Sequence, residues 1–173
     1  MKVSIITVCY NSEKTIEKTI KSVLSQNYKN YEYIIIDGGS TDKTIKIIDK
    51  YKKKIDIFKS EKDRGIYDAI NKGIKYSTGS VISILHSDDM FYDKLTINKV
   101  ISNFKSNQKI DCLIGNTVIV KNDSKKKLRN YKANFFKNWM LYFGFSPPHP
   151  STFFKQKIYQ KYGLYNDKYK IAG

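Results

Sequence analysis

The apolar residues of this chain fall into short dense runs, separated by polar stretches in which apolar side chains return every third or fourth position. Residues 3–9 (Val-Ser-Ile-Ile-Thr-Val-Cys), 31–37 (Tyr-Glu-Tyr-Ile-Ile-Ile-Asp), 55–58 and 81–85 are short and rich in β-branched residues, which predicts four buried strands. Between the first two, Ile16, Ile20, Val23 and Leu24 share one face of a helix over about residues 11–26, with Asn11 and Ser12 as N-cap candidates. Ile45, Ile48 and Tyr51 repeat the pattern after Asp42, a second cap candidate. Further helices are predicted over residues 66–76, closed by Gly79, and 93–104, followed by a strand over 112–120. This alternation predicts an α/β fold, a mostly parallel central sheet flanked by helices on both faces.

The final third has a different texture. Residues 122–132 are polar and lysine-rich, which predicts an exposed loop. Residues 134–145 carry Phe135, Phe136, Trp139, Tyr142, Phe143 and Phe145 at a spacing that fits a helix on the sheet edge, as core or as a binding platform. Ser146-Pro147-Pro148-His149-Pro150 predicts a rigid extended turn, and residues 151–154 a further short strand.

Composition narrows the picture. A chain of 173 residues holds one α/β domain with a real core, not two. Cys9 and Cys112 lack metal-ligand spacing, and Cys9 lies in an apolar run, so a free buried thiol in a reducing compartment is expected. No stretch approaches the roughly 18–20 apolar residues that span a bilayer. The opening run is interrupted by Ser4 and Thr7 and leads into a polar helix start, which favours a first strand over a signal peptide. A cytoplasmic protein is expected. The net charge of +16 rests on 32 basic residues of which only Arg64 and Arg129 are arginine. Nucleic-acid readers lean on arginine for bidentate contacts, so nucleic acid is not the expected partner. Solvated lysine faces explain the charge, with peripheral contact at an anionic inner membrane face as the second option.

In open α/β sheets, ligands bind outside the carboxyl ends of the strands, where the topology reverses. The strand ends here deliver Tyr10-Asn11, Asp37-Gly38-Gly39-Ser40 and His86-Ser87-Asp88-Asp89. No Gly-x-Gly-x-x-Gly follows the first strand and no Gly-x-x-x-x-Gly-Lys-Ser/Thr occurs, so dinucleotide and P-loop sites are not supported. A tandem aspartate at a strand end suits Mg²⁺ or Mn²⁺, hard cations that take carboxylate oxygens and share a substrate's phosphates. Capping of the next helix is the alternative for Asp88 and Asp89.

Five motifs occur in order: Val3-Ser-Ile-Ile-Thr-Val-Cys-Tyr-Asn11, Tyr33-Ile-Ile-Ile-Asp-Gly-Gly-Ser-Thr-Asp42, Asp63-Arg-Gly-Ile-Tyr-Asp-Ala-Ile-Asn-Lys-Gly73, Ser87-Asp-Asp89 and His149-Pro-Ser-Thr-Phe153. With them the chain resembles, from end to end, the family 2 glycosyltransferases of the GT-A (Rossmann-like) fold. The resemblance implies an inverting, metal-dependent transfer from a nucleotide-diphosphate sugar, a UDP-sugar, to a glycan or lipid-linked acceptor. It implies a donor-binding part over residues 1–89 and the start of an acceptor part over 90–173. Asp37 would accept the uracil N3–H, Thr7 and Tyr10 would line the base pocket, and Arg64 would reach the base or diphosphate. Asp68 and Asn71 would bind the donor sugar or shape the turn before them. Asp88 would hold the ribose, and Asp89 the Mn²⁺ or Mg²⁺ that bridges the phosphates. His149 is a metal or diphosphate ligand, an acceptor contact, or a turn-stabilising residue. The chain departs from the family pattern at two places. His86 stands where relatives commonly carry Asn, and it has no assigned role. Relatives follow the counterpart of residues 168–172 with an acidic general base, whereas this chain stops at Gly173, so a C-terminally truncated domain is expected, with Asp167 a poor substitute for the base. A degenerate nucleotide-sugar-binding protein without turnover is the alternative.

Overall fold

The computed structural model describes residues 1–121 and 127–169. Eight strands and five helices follow in chain order: β1 (Val3–Cys9), α1 (Ile16–Leu24), β2 (Tyr31–Asp37), α2 (Thr44–Asp49), β3 (Ile57–Ser60), α3 (Ile66–Tyr76), β4 (Val81–His86), α4 (Thr96–Ser106), β5 (Cys112–Ile114), β6 (Thr117–Val120), β7 (Lys127–Tyr131), β8 (Thr152–Lys155) and α5 (Gln156–Tyr162). The main sheet has the order β3-β2-β1-β4-β8-β5. Its β3, β2, β1 and β4 are parallel, and β8 pairs antiparallel with both β4 and β5. The mostly parallel sheet expected from the alternation is therefore present, and the order reverses between β1 and β4.

Strand periodicity assigns the two faces. On β1, Val3, Ile5 and Cys9 join a core with Ile16, Ile20 and Val23 of α1, Ile48 of α2 and Ile97, Val100, Ile101 and Phe104 of α4. Ile6 and Val8 point the other way and pack with Tyr67, Ile70 and Ile74 of α3. The approach of α3 is close enough that a Cβ on Gly73 would run into the Ile6 side chain, with Ile36 Cγ1 at 3.5 Å. Gly73→Val is therefore expected to cost about 2–3 kcal/mol by overpacking, read as a lower urea midpoint with an unchanged denaturant slope.

Several expected elements differ. The first helix begins at Ile16, and neither Asn11 nor Ser12 caps it. Asn11 adopts a left-handed φ of 47° and accepts the Thr41 N–H at 2.9 Å, while the Ser12 hydroxyl is engaged with Ser87 at 2.8 Å. Both residues tie strand-end loops together instead. Asp42 lies one position before the N-cap of α2, Lys43, and accepts the Thr44 N–H at 2.9 Å and the Glu13 N–H at 3.1 Å. The strand expected over 112–120 splits at Gly115, whose N–H donates to Ser151 O at 2.7 Å and ends the pairing with β8. Its second half, β6, pairs with β7 in a separate two-stranded ribbon. Thus part of the expected 122–132 loop is strand, while residues 122–126 lie outside the described residues. The aromatic segment forms two 3₁₀ turns, Ala133–Phe135 and Asn138–Phe143, rather than one α-helix. Phe135, Trp139, Leu141, Tyr142, Phe143 and Phe145 are all exposed, so no buried face is available to hold a longer helix. Helix α5 had no counterpart among the expected elements. No helix among the described residues is long and apolar enough to cross a membrane.

Candidate donor and metal site

The parallel register places four strand ends at one level. Cys9 lies opposite Asp37, Asp37 opposite Ser60, and Val8 opposite His86. The loops that follow make a rim at the reversal between β1 and β4, the position where open α/β sheets bind ligands.

The β2 end is organised by Asp37, which is fully buried. Its Oδ2 accepts the N–H groups of Gly39 (3.1 Å) and Ser40 (2.9 Å) and the Ser60 hydroxyl (2.7 Å), and its Oδ1 accepts the Ser40 hydroxyl. Gly39 has a φ of +84°, a conformation that needs glycine in this turn. Asp37 also faces Cys9, whose free thiol is pushed up far beyond its ordinary range by burial and by that carboxylate. The thiol is free and buried, as the apolar run predicts. At the β1 end Tyr10 is 62% exposed and open to stacking. Thr7, by contrast, is buried one turn of the pleat below, with its hydroxyl 3.1 Å from Tyr33 Oη. The geometry supports packing for Thr7.

The loop before α3 contains a charge network. Arg64 is exposed, with its guanidinium 3.2 Å from Asp68 Oδ1 and 2.5 Å from Asp167 Oδ2. Asp68 also accepts the Arg64 N–H at 3.1 Å and lies 3.3 Å from Lys72 Nζ. Burial pushes the Asp68 carboxyl up, but these bonds outweigh it and hold it below its usual range. Asp167, held by the guanidinium, is poorly disposed to act as a base. Asn71 clamps the tail backbone, donating to Tyr165 O at 2.8 Å and accepting the Tyr165 N–H at 3.0 Å. That arrangement supports a structural role for Asn71.

The β4 end carries the clearest ligating cluster. A ring nitrogen of His86 and one carboxylate oxygen each of Asp88 and Asp89 all lie within 4.8 Å of one another. Asp88 is exposed, whereas His86 and Asp89 are half-buried. Burial first and the Asp88 carboxylate second push Asp89 up to about 6. Two carboxylates that repel in this way are the arrangement a bound cation relieves. The His149 ring, in the 3₁₀ turn before β8, stacks against His86 with centroids 6.0 Å apart and planes at 24°. Burial lowers both imidazoles, which leaves a neutral lone pair on each. The carboxylates suit Mn²⁺ or Mg²⁺, and an imidazole beside them suits Mn²⁺ better than Mg²⁺.

Two residues that hold this loop were not legible as site residues. Thr19 of α1, fully buried, shares its one hydroxyl proton between Ser87 O at 2.9 Å and Asp89 O at 2.8 Å. Ser12 reaches the Ser87 hydroxyl from the β1 side. Only the apolar stripe of α1 marked it in the sequence, and a threonine inside that stripe was the available signal. Thr19→Val is expected to cost about 1–2 kcal/mol in a thermal melt, because two carbonyls lose their donor. It should also weaken cation-dependent ligand affinity several-fold by calorimetry.

The model of the family described as Glycosyl transferase family 2 matches residues 4–171. The chain belongs to this family. Poly-beta-1,6-N-acetyl-D-glucosamine synthase of Staphylococcus epidermidis is 38% identical over 117 residues, covering 66% of this chain and 28% of that protein. The structure of S. aureus TarS 1–349 in complex with UDP-GlcNAc superposes with a TM-score of 0.77 at 22% identity, over 95% of this chain and 48% of that one. The mannosyltransferase PcManGT from Pyrobaculum calidifontis, in complex with GDP-Man and Mn²⁺, gives 0.72 at 16% identity, over 95% and 47%. The family's GT-A fold, expected from the motifs, is the fold of this chain. The chain spans under a third of the synthase and about half of each solved relative.

Proposed function

We propose that this chain binds a UDP-sugar with a divalent cation at the β1/β2/β4 rim and takes part in inverting transfer of the sugar to a glycan or lipid-linked acceptor. The observation that carries the reading is the Asp88-Asp89 pair at the β4 end, beside Tyr10 and Asp37 at the ends of β1 and β2. The family membership and the likeness to a fold solved with UDP-GlcNAc support it. In this reading residues 1–89 form the donor part and 90–173 begin the acceptor part.

Tyr10 stacks on the base, and Asp37 takes its N3–H in place of the Ser40 hydroxyl. Asp88 holds the ribose hydroxyls. Arg64 exchanges Asp167 for the diphosphate, and Asp68 keeps the guanidinium aimed. Asp89, with His149 as a further candidate, would hold Mn²⁺ or Mg²⁺, which would supply Lewis-acid stabilisation of the charge on the leaving diphosphate. An acceptor hydroxyl then attacks the anomeric carbon from the opposite face as the diphosphate leaves, and an acidic side chain takes its proton. The exposed aromatic segment between Phe135 and Phe145 and the charge of +16 support an acceptor side that meets an anionic membrane surface. We place the protein in the cytoplasm, at the inner face of the membrane.

A thermal-shift titration tests donor binding. UDP with Mn²⁺ at a hundred times the dissociation constant should stabilise the fold by about 2.7 kcal/mol, and UDP or Mn²⁺ alone by much less. No shift with UDP, GDP or their sugars, with or without Mn²⁺, defeats the reading. A shift with UDP but no transfer or donor hydrolysis supports binding without turnover.

A further inference from the structure

The proposed donor site leaves one buried group without a task. His86 Nε2 is buried and has no hydrogen-bond partner among the described residues. Such an orphan is costly, and its retention calls for an explanation. Two other buried polar atoms share this state, Ser83 Oγ and Asp111 Oδ1. Ser83 lies mid-strand in β4, and the Asp111 carboxylate is ion-paired to Lys155 and Lys157. Neither belongs to a ligating cluster among the described residues, whereas His86 does.

The spacing suits coordination. Ligands on opposite sides of a cation with bonds of about 2.1 Å are about 4.2 Å apart. The His86 and Asp89 candidate atoms, like that of Asp88, lie within 4.8 Å of each other, a separation close to that of two ligands on one ion. The His149 ring packed against His86 limits how far the imidazole can swing.

We propose that His86 gives a nitrogen ligand, beside Asp89, to the cation that accompanies the donor, and so biases the site toward Mn²⁺, Co²⁺ and Ni²⁺ over Mg²⁺. This rests on the donor-and-metal reading above. The physical basis is ligand preference. Imidazole favours the later first-row divalent ions, while Mg²⁺ demands oxygen ligands in near-ideal octahedral geometry. Replacing one oxygen position by nitrogen therefore weakens Mg²⁺ relative to Mn²⁺.

The chain has two histidines, His86 and His149, so a histidine nitrogen on the metal has one of two sources. Pulsed electron paramagnetic resonance of Mn²⁺ bound with UDP reads a directly attached nitrogen without requiring turnover. The expected result is a nitrogen coupling in the wild type that persists in His149→Asn and disappears in His86→Asn. Calorimetry should show the Mn²⁺-over-Mg²⁺ preference falling by about tenfold in His86→Asn. Circular dichroism melts confirm that each variant folds. If His86→Asn does not fold, His149→Asn decides: retention of the coupling supports His86, and its loss overturns the proposal. Mn²⁺ bound with UDP but without nitrogen coupling, or with coupling unchanged in His86→Asn, overturns the role of His86 and leaves the donor reading standing. Absence of Mn²⁺ binding in the wild type with UDP removes both.

Discussion

Asp89→Asn is expected to lose Mn²⁺-dependent UDP binding while making the ligand-free protein more stable. The loss follows from the proposed role of Asp89 as the carboxylate that carries the cation. Asparagine keeps the shape and removes the charge, and affinity for UDP with Mn²⁺ should drop about a hundredfold, roughly 2.7 kcal/mol. The gain follows from the folded state itself. Asp89 titrates at about 6 because burial, and next to it Asp88, disfavour its charge, against an ordinary value of 3.8. A carboxyl raised on folding makes the fold less stable above its folded pKa, and the deficit is relieved as pH falls through 6 toward 4. Asparagine removes that deficit at pH 7. The loop is open enough to solvent to hold the gain to about 1–2 kcal/mol. Calorimetry with UDP and Mn²⁺ and a ligand-free urea titration at pH 7 and pH 5 measure both halves. Undiminished Mn²⁺-dependent affinity in the variant would sink the metal role of Asp89.

The second large effect lies at the opposite end of the sheet. Glu32 is nearly fully buried and accepts hydrogen bonds from Lys2 Nζ (2.5 Å), the Ser4 hydroxyl (2.5 Å), the Thr78 N–H (2.6 Å) and hydroxyl (2.8 Å), and the Gly79 N–H (3.1 Å). This one carboxylate joins β1, β2 and the turn into β4. Glu32→Ala leaves the Ser4 hydroxyl and the two Thr78 donors without this acceptor, while the Gly79 N–H keeps Ser4 Oγ at 2.8 Å and the more exposed Lys2 can return to water. A loss of about 3 kcal/mol is expected in a urea titration at pH 7. Burial pushes Glu32 up, but its bonds from Lys2, Ser4 and Thr78 prevail and bring it down to about 2, from an ordinary 4.5. The sign is the reverse of Asp89. The stabilisation is complete above pH 4.5 and is lost as pH falls toward 2. Glu32→Gln should flatten the wild type's acid slope in that window. An unchanged slope would show that the network is not a source of acid sensitivity.

Much of the site was legible because its carriers are local. A tandem aspartate after a β-branched run needs no tertiary information to be placed at a strand end, and Asp37 before two glycines is legible for the same reason. Thr19 was not, because its function is a hydrogen bond to carbonyls 68 and 70 residues away. Asn71 was open between sugar binding and shaping the chain, since its partner Tyr165 lies 94 residues on. Thr7 shows the converse problem. Its place in a motif left both a ligand contact and packing open, and the structure sets its hydroxyl 3.1 Å from Tyr33 Oη.

The sequence by itself determined the parallel strands, the helices between them and the Asp88-Asp89 end of β4. Those features follow from local periodicity and from residue types at strand ends, which short stretches of chain encode. The tertiary structure alone decided that β8 enters antiparallel between β4 and β5, and that the predicted 112–120 strand breaks at Gly115 to allow it. It also decided that the aromatic segment lies exposed in 3₁₀ turns, and that β8's lead-in carries His149 onto His86 beside the aspartates. These outcomes depend on which surfaces meet across long separations, a competition among packing partners that no local pattern records.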